Sequence, residues 1–236
     1  MKESDPTKKV NQKVAAIKTF PIPFALNMFQ ENISISTNAN TQKSKSKEII
    51  KQALKFHSQG KIKEAEKYYQ YCINQGFNDY RVFSNYGSIL QVRGKLKDAE
   101  EYYRKAIKLR SDFTNAHFNL GNTLNSLGKL KDAELSLRKA IEIKPDFAEA
   151  HFNLGNILSN LGNLKEAELS QRKAIEIKSD FAEAHFNLGN ILSNLGNLKE
   201  AELSQRKAIE IKSDFAEAHF NLGNILSNLG NLKEAE

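Results

Sequence analysis

The chain has 236 residues, a net charge of +7 and one cysteine, Cys72. A single thiol excludes an internal disulfide and suits a reducing compartment, so a cytoplasmic location is expected. The first residues carry both signs of charge, and Pro21 and Pro23 break the apolar run from Phe20 to Phe29, which argues against a signal peptide or a membrane span.

Residues 1–45 are rich in Lys, Asn, Ser and Thr, hold three of the four prolines and show no sustained period. Such a segment buries too little apolar surface to offset the entropy of ordering, so a mostly disordered basic tail is expected. Within it, the run Phe20-Pro21-Ile22-Pro23-Phe24-Ala25-Leu26 has the apolar side chains to dock on the rest of the chain. From Ser46 a 34-residue period holds, with units at 46–79, 80–113, 114–147, 148–181 and 182–215 and a partial unit at 216–236. Residues 148–181 recur letter for letter at 182–215. A period of this length marks stacked supersecondary units that bury a continuous core between neighbours.

Each unit reads as two amphipathic helices, A and B, around a glycine. In the unit at 148, Ala150, Leu154, Leu158 and Leu161 recur at helical spacing, and Gly162 stands where a left-handed helix end favours a residue without a Cβ. Asp146 with Glu149, Asp180 with Glu183 and Asp214 with Glu217 have the spacing of a capping box for helix A, as does Asn163 with Glu166 for helix B.

Together these residues resemble the tetratricopeptide repeat pattern. The unit at 114 shows His117, Leu120-Gly121, Leu124, Ala133, Leu137, Ala140 and Pro145 at the motif's offsets, and the unit at 80 shows Phe83, Tyr86-Gly87, Leu90, Ala99, Tyr103, Ala106 and Ser111. The resemblance covers residues 46–236 and implies an all-α fold, a right-handed α-solenoid of antiparallel helix pairs. The first unit departs from the pattern, with Gln52-Ala53 for Leu-Gly and Cys72 for Ala, as a terminal unit often does. Gln171 and Gln205 replace the aromatic of helix B and are expected to weaken packing there, while Leu169 and Leu203 are placed toward solvent.

His117, His151, His185 and His219 recur at the period, so successive copies sit about 10 Å or more apart, given helix packing distances. That is too far to share a zinc ion, whose ligands lie about 2.0–2.3 Å away, and a packing role is expected instead. No nucleophile with its base, no glycine-rich phosphate loop and no metal-spaced cluster stands out, so neither catalysis nor a cofactor is expected.

The remaining candidate is the other side of helix A, where a wheel brings Asn153, Asn156 and Asn160 together with Glu149 and Phe152 at the edge. Stacking converts this into a ladder, Asn85, Asn119, Asn153, Asn187 and Asn221, flanked by Asn122, Asn156 and Asn190 and by Phe118, Phe152, Phe186 and Phe220. An amide offers a donor and an acceptor, so it can satisfy a peptide group without reading its side chain. The same amide also suits a bond to a neighbouring helix.

The ladder is similar to the repeat array of O-GlcNAc transferases, in which the corresponding asparagines grip substrate peptide. The leading expectation is a non-catalytic scaffold that holds extended protein segments in a concave face. The alternative is the substrate-recognition arm of a larger glycosyltransferase. Nucleic-acid binding has less support: residues 1–113 carry a net charge of +10, but their lysines are scattered and lack an aromatic stacking platform. The abrupt stop in the sixth unit predicts exposed apolar surface around Leu222, Leu226 and Leu229, and end-to-end self-association through it.

Overall fold

The computed structural model describes residues 39–230. The tail up to residue 38, its Phe20–Leu26 segment and residues 231–236 lie outside that range. The described residues form helices only. Five pairs follow one another: α1 (Ala39–Ser58) with α2 (Ile62–Asn74), α3 (Tyr80–Val92) with α4 (Leu96–Leu109), α5 (Thr114–Ser126) with α6 (Leu130–Ile143), α7 (Ala148–Asn160) with α8 (Leu164–Ile177), and α9 (Ala182–Asn194) with α10 (Leu198–Ile211). They are followed by α11 (Ala216–Asn228). Each helix packs on its partner and on the next unit, and A helices also touch the A helices on either side, with no contact between more distant units. The result is an α-solenoid whose core runs along the stack. The first helix opens at Ala39, ahead of the unit boundary at 46.

Small residues set the spacing of each pair. Ala65, Ala99, Ala133, Ala167 and Ala201 are fully buried on the B helices, as are Ala106, Ala140, Ala174 and Ala208 about two turns further on, where the first unit has buried Cys72. Leu154 and Leu158 of α7 point into the same core, and Leu169 and Leu203 stand 66 % exposed on the outer side.

Helix A ends as expected. Gly162 has φ +81°, its N–H donates to the Ser159 carbonyl at 3.0 Å, and the Asn163 N–H donates to the Leu158 carbonyl at 2.9 Å. These two bonds make a Schellman motif and satisfy carbonyls that the helix end leaves open.

Helix starts correct the sequence reading. Phe147, Phe181 and Phe215, not Asp146, Asp180 and Asp214, occupy the cap positions, and no side chain caps these helices. The phenylalanines are held there by the preceding unit, with Phe147 against Phe118 at 4.7 Å, which leaves each aspartate one residue too early to reach the first N–H groups. Asn163 caps nothing with its side chain, and Glu166 pairs across units with Arg138 at 2.6 Å instead of turning back. Among the A helices with an assigned cap, Asp79 alone has a side-chain cap bond, accepting from the Arg81 N–H at 2.8 Å.

The sixth unit also departs from expectation. Leu226 is buried and Leu222 and Leu229 are half-buried, because α11 packs on α9 and α10; Phe220, 70 % exposed, is the open apolar side chain of this helix.

Candidate functional site

In α7 the buried residues are Ala148, Ala150, Leu154, Gly155, Ile157 and Leu158. The remaining arc presents Glu149, Phe152, Asn153 and Asn156 half-buried and Asn160 exposed. The five ladder asparagines all reach back one unit. Asn85 Nδ2 donates to the Tyr69 hydroxyl at 3.1 Å and Asn119 Nδ2 to Ser88 Oγ at 3.5 Å. From there the acceptor is itself an asparagine: Asn153 Nδ2 to Asn122 Oδ1 at 2.7 Å, Asn187 to Asn156 at 2.7 Å, and Asn221 to Asn190 at 2.8 Å. The ladder thus braces neighbouring helices, and each bond engages one amide N–H while leaving the ladder residue's Oδ1 uncommitted among the described residues.

Accessibility divides the candidates. Asn119 and Phe118 are buried, and Asn122 is 2 % exposed with its Nδ2 lacking any partner. Asn85, Asn153, Asn156, Asn187, Asn190 and Asn221 are half-buried, so one side of each meets solvent. Phe152 and Phe186 are less open than expected, because they pack on the phenylalanine that begins the next unit, Phe181 at 4.7 Å and Phe215 at 4.8 Å, whereas Phe220 stays 70 % exposed. Lys178 and Lys212 cover the outer partners at 4.9 and 4.7 Å from the ring centres.

One functional feature was missed. Gln171 and Gln205, read from sequence as packing defects, are fully buried under the ladder. Gln171 Nε2 donates to Asn156 Oδ1 at 2.8 Å and to the Phe152 carbonyl at 3.2 Å, and Gln205 does the same to Asn190 and Phe186. Their Oε1 atoms have no partner, which costs about 1–3 kcal/mol for a buried acceptor. The space comes from Gly155 and Gly189: a Cβ on Gly155 would lie 2.6 Å from Gln171 Nε2. The sequence signal was present, a polar residue at a core position twice over, facing a glycine one helix away.

At the same helix-B position the other units have Tyr69, Tyr103 and Leu137. The tyrosine hydroxyls are also tied to the inner arc, Tyr69 to Asn85 and Tyr103 to Ser88 and Gln91 at 3.1 and 2.8 Å. Burial raises both phenols well above the usual range.

The histidines hold the turns between units. His117, His151, His185 and His219 place Nε2 at 2.8, 2.9, 3.1 and 3.0 Å from the carbonyls of Ser111, Pro145, Ser179 and Ser213. His117 is buried, but His219 is exposed, so the role they share is to clamp the turn and not to fill the core. Burial pushes the Cys72 thiol up to about 11, far from a reactive thiolate. Among the described residues no three His, Cys, Asp or Glu side chains are placed to hold a metal ion, and no helix is long and apolar enough to cross a membrane.

Family models for the TPR repeat match residues 87–128 and 121–162, and models for the tetratricopeptide repeat match 148–181, 182–215 and 205–236. No curated protein sequence matches. Among solved structures, YrrB, described as a TPR protein with an unusual peptide-binding site, is similar at 26 % identity and a TM-score of 0.63, covering 71 % of this chain and 86 % of its own. MamA is similar at 26 % identity and a TM-score of 0.61, covering 63 % and 87 %. PilF of Pseudomonas aeruginosa shares the fold at 15 % identity, with a TM-score of 0.70 over 83 % of this chain and 89 % of its own.

Proposed function

The chain belongs to the tetratricopeptide repeat family, and from that premise we propose that it is a non-catalytic scaffold holding an extended segment of a protein partner along the asparagine-lined face. Repeat proteins of this family generally serve protein interaction, and a peptide-binding site is what the similar YrrB structure is described as having.

The observation that carries the reading is the state of the ladder amides. From Asn153 to Asn221 each is anchored through one N–H and half-buried, so its Oδ1 is held in position and not sampling solvent freely. The half-buried positions Asn153, Asn187 and Asn221, in units about 10 Å apart, match about three residues of extended chain each, at roughly 3.3 Å per residue. Each contact contributes about 0.5–1.5 kcal/mol net against an association cost of several kcal/mol, so affinity is modest and depends on several units acting together. The finer likeness to O-GlcNAc transferase arrays rests on these ladder residues alone and adds no activity to this reading.

Affinity capture followed by mass spectrometry, with the intact chain beside an Asn119→Ala, Asn153→Ala, Asn187→Ala variant, tests it. Loss of the captured partners from a variant that keeps its helical signal is expected. An unchanged set of partners overturns the groove reading.

A further inference from the structure

We propose that Gln171 and Gln205 orient the asparagines of the groove, and thereby set the direction in which an extended peptide lies across the units at 148, 182 and 216; the proposal rests on the peptide-binding reading above.

The Phe152 carbonyl oxygen can only accept, so the amide atom of Gln171 that sits 3.2 Å from it is nitrogen. That same nitrogen lies 2.8 Å from the Asn156 amide, so the atom facing it there is Oδ1. Asn187 approaches the same oxygen at 2.7 Å and must therefore present Nδ2. Three hydrogen bonds thus transmit one backbone carbonyl's polarity to two groove side chains. Gln205 repeats the relay from the Phe186 carbonyl through Asn190 to Asn221.

The groups left over define what the groove offers. At the junction of the units at 148 and 182 they are the Asn156 Nδ2 hydrogens, which donate, and the Asn187 Oδ1, which accepts. In an extended chain the N–H and C=O of one residue point to the same side, with the N–H nearer the N-terminus. An N–H on Asn187 and a C=O on Asn156 therefore make the peptide run from the unit at 182 toward the unit at 148, opposite to the array. Rotating both amides by half a turn would reverse the direction.

Gln171 prevents that rotation. It is fully buried, it fits only because Gly155 has no Cβ, and its unpartnered Oε1 shows that the donor end alone is used. The unit at 114 supplies the contrast within the same molecule. There Leu137 offers no donor; Asn153 Nδ2 bonds Asn122 Oδ1 at 2.7 Å in the same sense, but no backbone carbonyl is linked to that pair through a buried donor, and the buried Asn122 Nδ2 is left without a partner. Glutamine ties that polarity to a fixed backbone carbonyl; where leucine stands, rotating both amides leaves an equivalent bond between them.

The test uses the full chain with Asn228→Cys, at an exposed position that ends α11, labelled with a fluorescent donor; the buried Cys72 stays unlabelled. A twelve-residue peptide selected from a random displayed library on the wild-type chain is synthesised with an acceptor dye at either its N- or its C-terminus. Stronger energy transfer from the N-terminal dye is expected. In Gln171→Leu/Gln205→Leu, and in the near-isosteric Gln171→Met/Gln205→Met, the ratio between the two peptides is expected to fall toward one, with the thermal midpoint not lowered. A retained ratio in both variants, or stronger transfer from the C-terminal dye in the wild type, overturns the direction-setting role while leaving the groove intact. If the wild type selects no peptide, the groove reading falls and this role falls with it.

Discussion

Replacing Gln171 by Leu removes two hydrogen bonds from the centre of the stack, yet it is expected to stabilise the chain. Losing the bonds to Asn156 and Phe152 costs about 2 kcal/mol at roughly 1 kcal/mol each. Neither former acceptor is stranded, because Asn156 Oδ1 keeps its bond from Asn187 and the Phe152 carbonyl belongs to a continuous helix. On the other side, the unpartnered Oε1 disappears, recovering about 2 kcal/mol. A fully buried Leu adds about 1 kcal/mol of apolar transfer beyond that of the glutamine stem. The balance is about 1 kcal/mol in favour of the variant, or about 2–4 °C in a chain of this size. Thermal unfolding followed by circular dichroism reads it, and Gln205→Leu, in the identical environment, is the built-in replicate. A loss of 1 kcal/mol or more at both sites would refute the reasoning, since the bonds would then outweigh the orphaned acceptor. A gain in stability would also mean that glutamine is held at this position for something other than stability.

Three further expectations follow from the packing. Gly121→Ala should destabilise by about 1–2 kcal/mol, although alanine is the better helix former, because the added Cβ would meet Leu137 Cγ at 2.7 Å and the Ala133 carbonyl at 3.3 Å; chemical denaturation decides, and a stabilised variant contradicts it. Asp79→Ala should cost about 1 kcal/mol at neutral pH, measured against urea. Burial alone would raise the Asp79 carboxyl, but the hydrogen bonds from Arg81 outweigh it and hold the group below its ordinary 3.8. The contribution is therefore present above that value and lost as pH falls through the lower folded-state one, so wild type and variant should converge in acid; a gap that persists there points to packing instead of capping. Cys72 should resist an aromatic disulfide reagent at pH 8 until the chain unfolds, since its thiol is buried and pushed up to about 11; rapid labelling of the native chain would count against the packed first unit.

The architecture was legible because a solenoid is local. A 34-residue period, the buried alanines and the glycine that ends each A helix are properties of one unit and its neighbour, and each can be read from spacing alone. The outward Leu169 and Leu203 and the asparagine arc of α7 followed from the wheel for the same reason. Capping failed because aspartate before a helix is a local signal, while the aromatic pairing of Phe118 with Phe147 that places the helix start is a contact between units. The accessibility of the candidates was also beyond spacing: Asn119 and Asn153 occupy equivalent positions, yet one is buried and the other half-open.

By itself the sequence determined the helix pairs, their stacking and the recurrence of an amide on one face, since these depend on periodicity and apolar pattern. Only the tertiary structure decided how those amides point. Orientation is set where Gln171 on one helix meets Asn156 on its partner and Asn187 on the next unit. The physical reason is that a side-chain amide looks nearly the same either way round until a fixed acceptor, here the Phe152 carbonyl, breaks the symmetry.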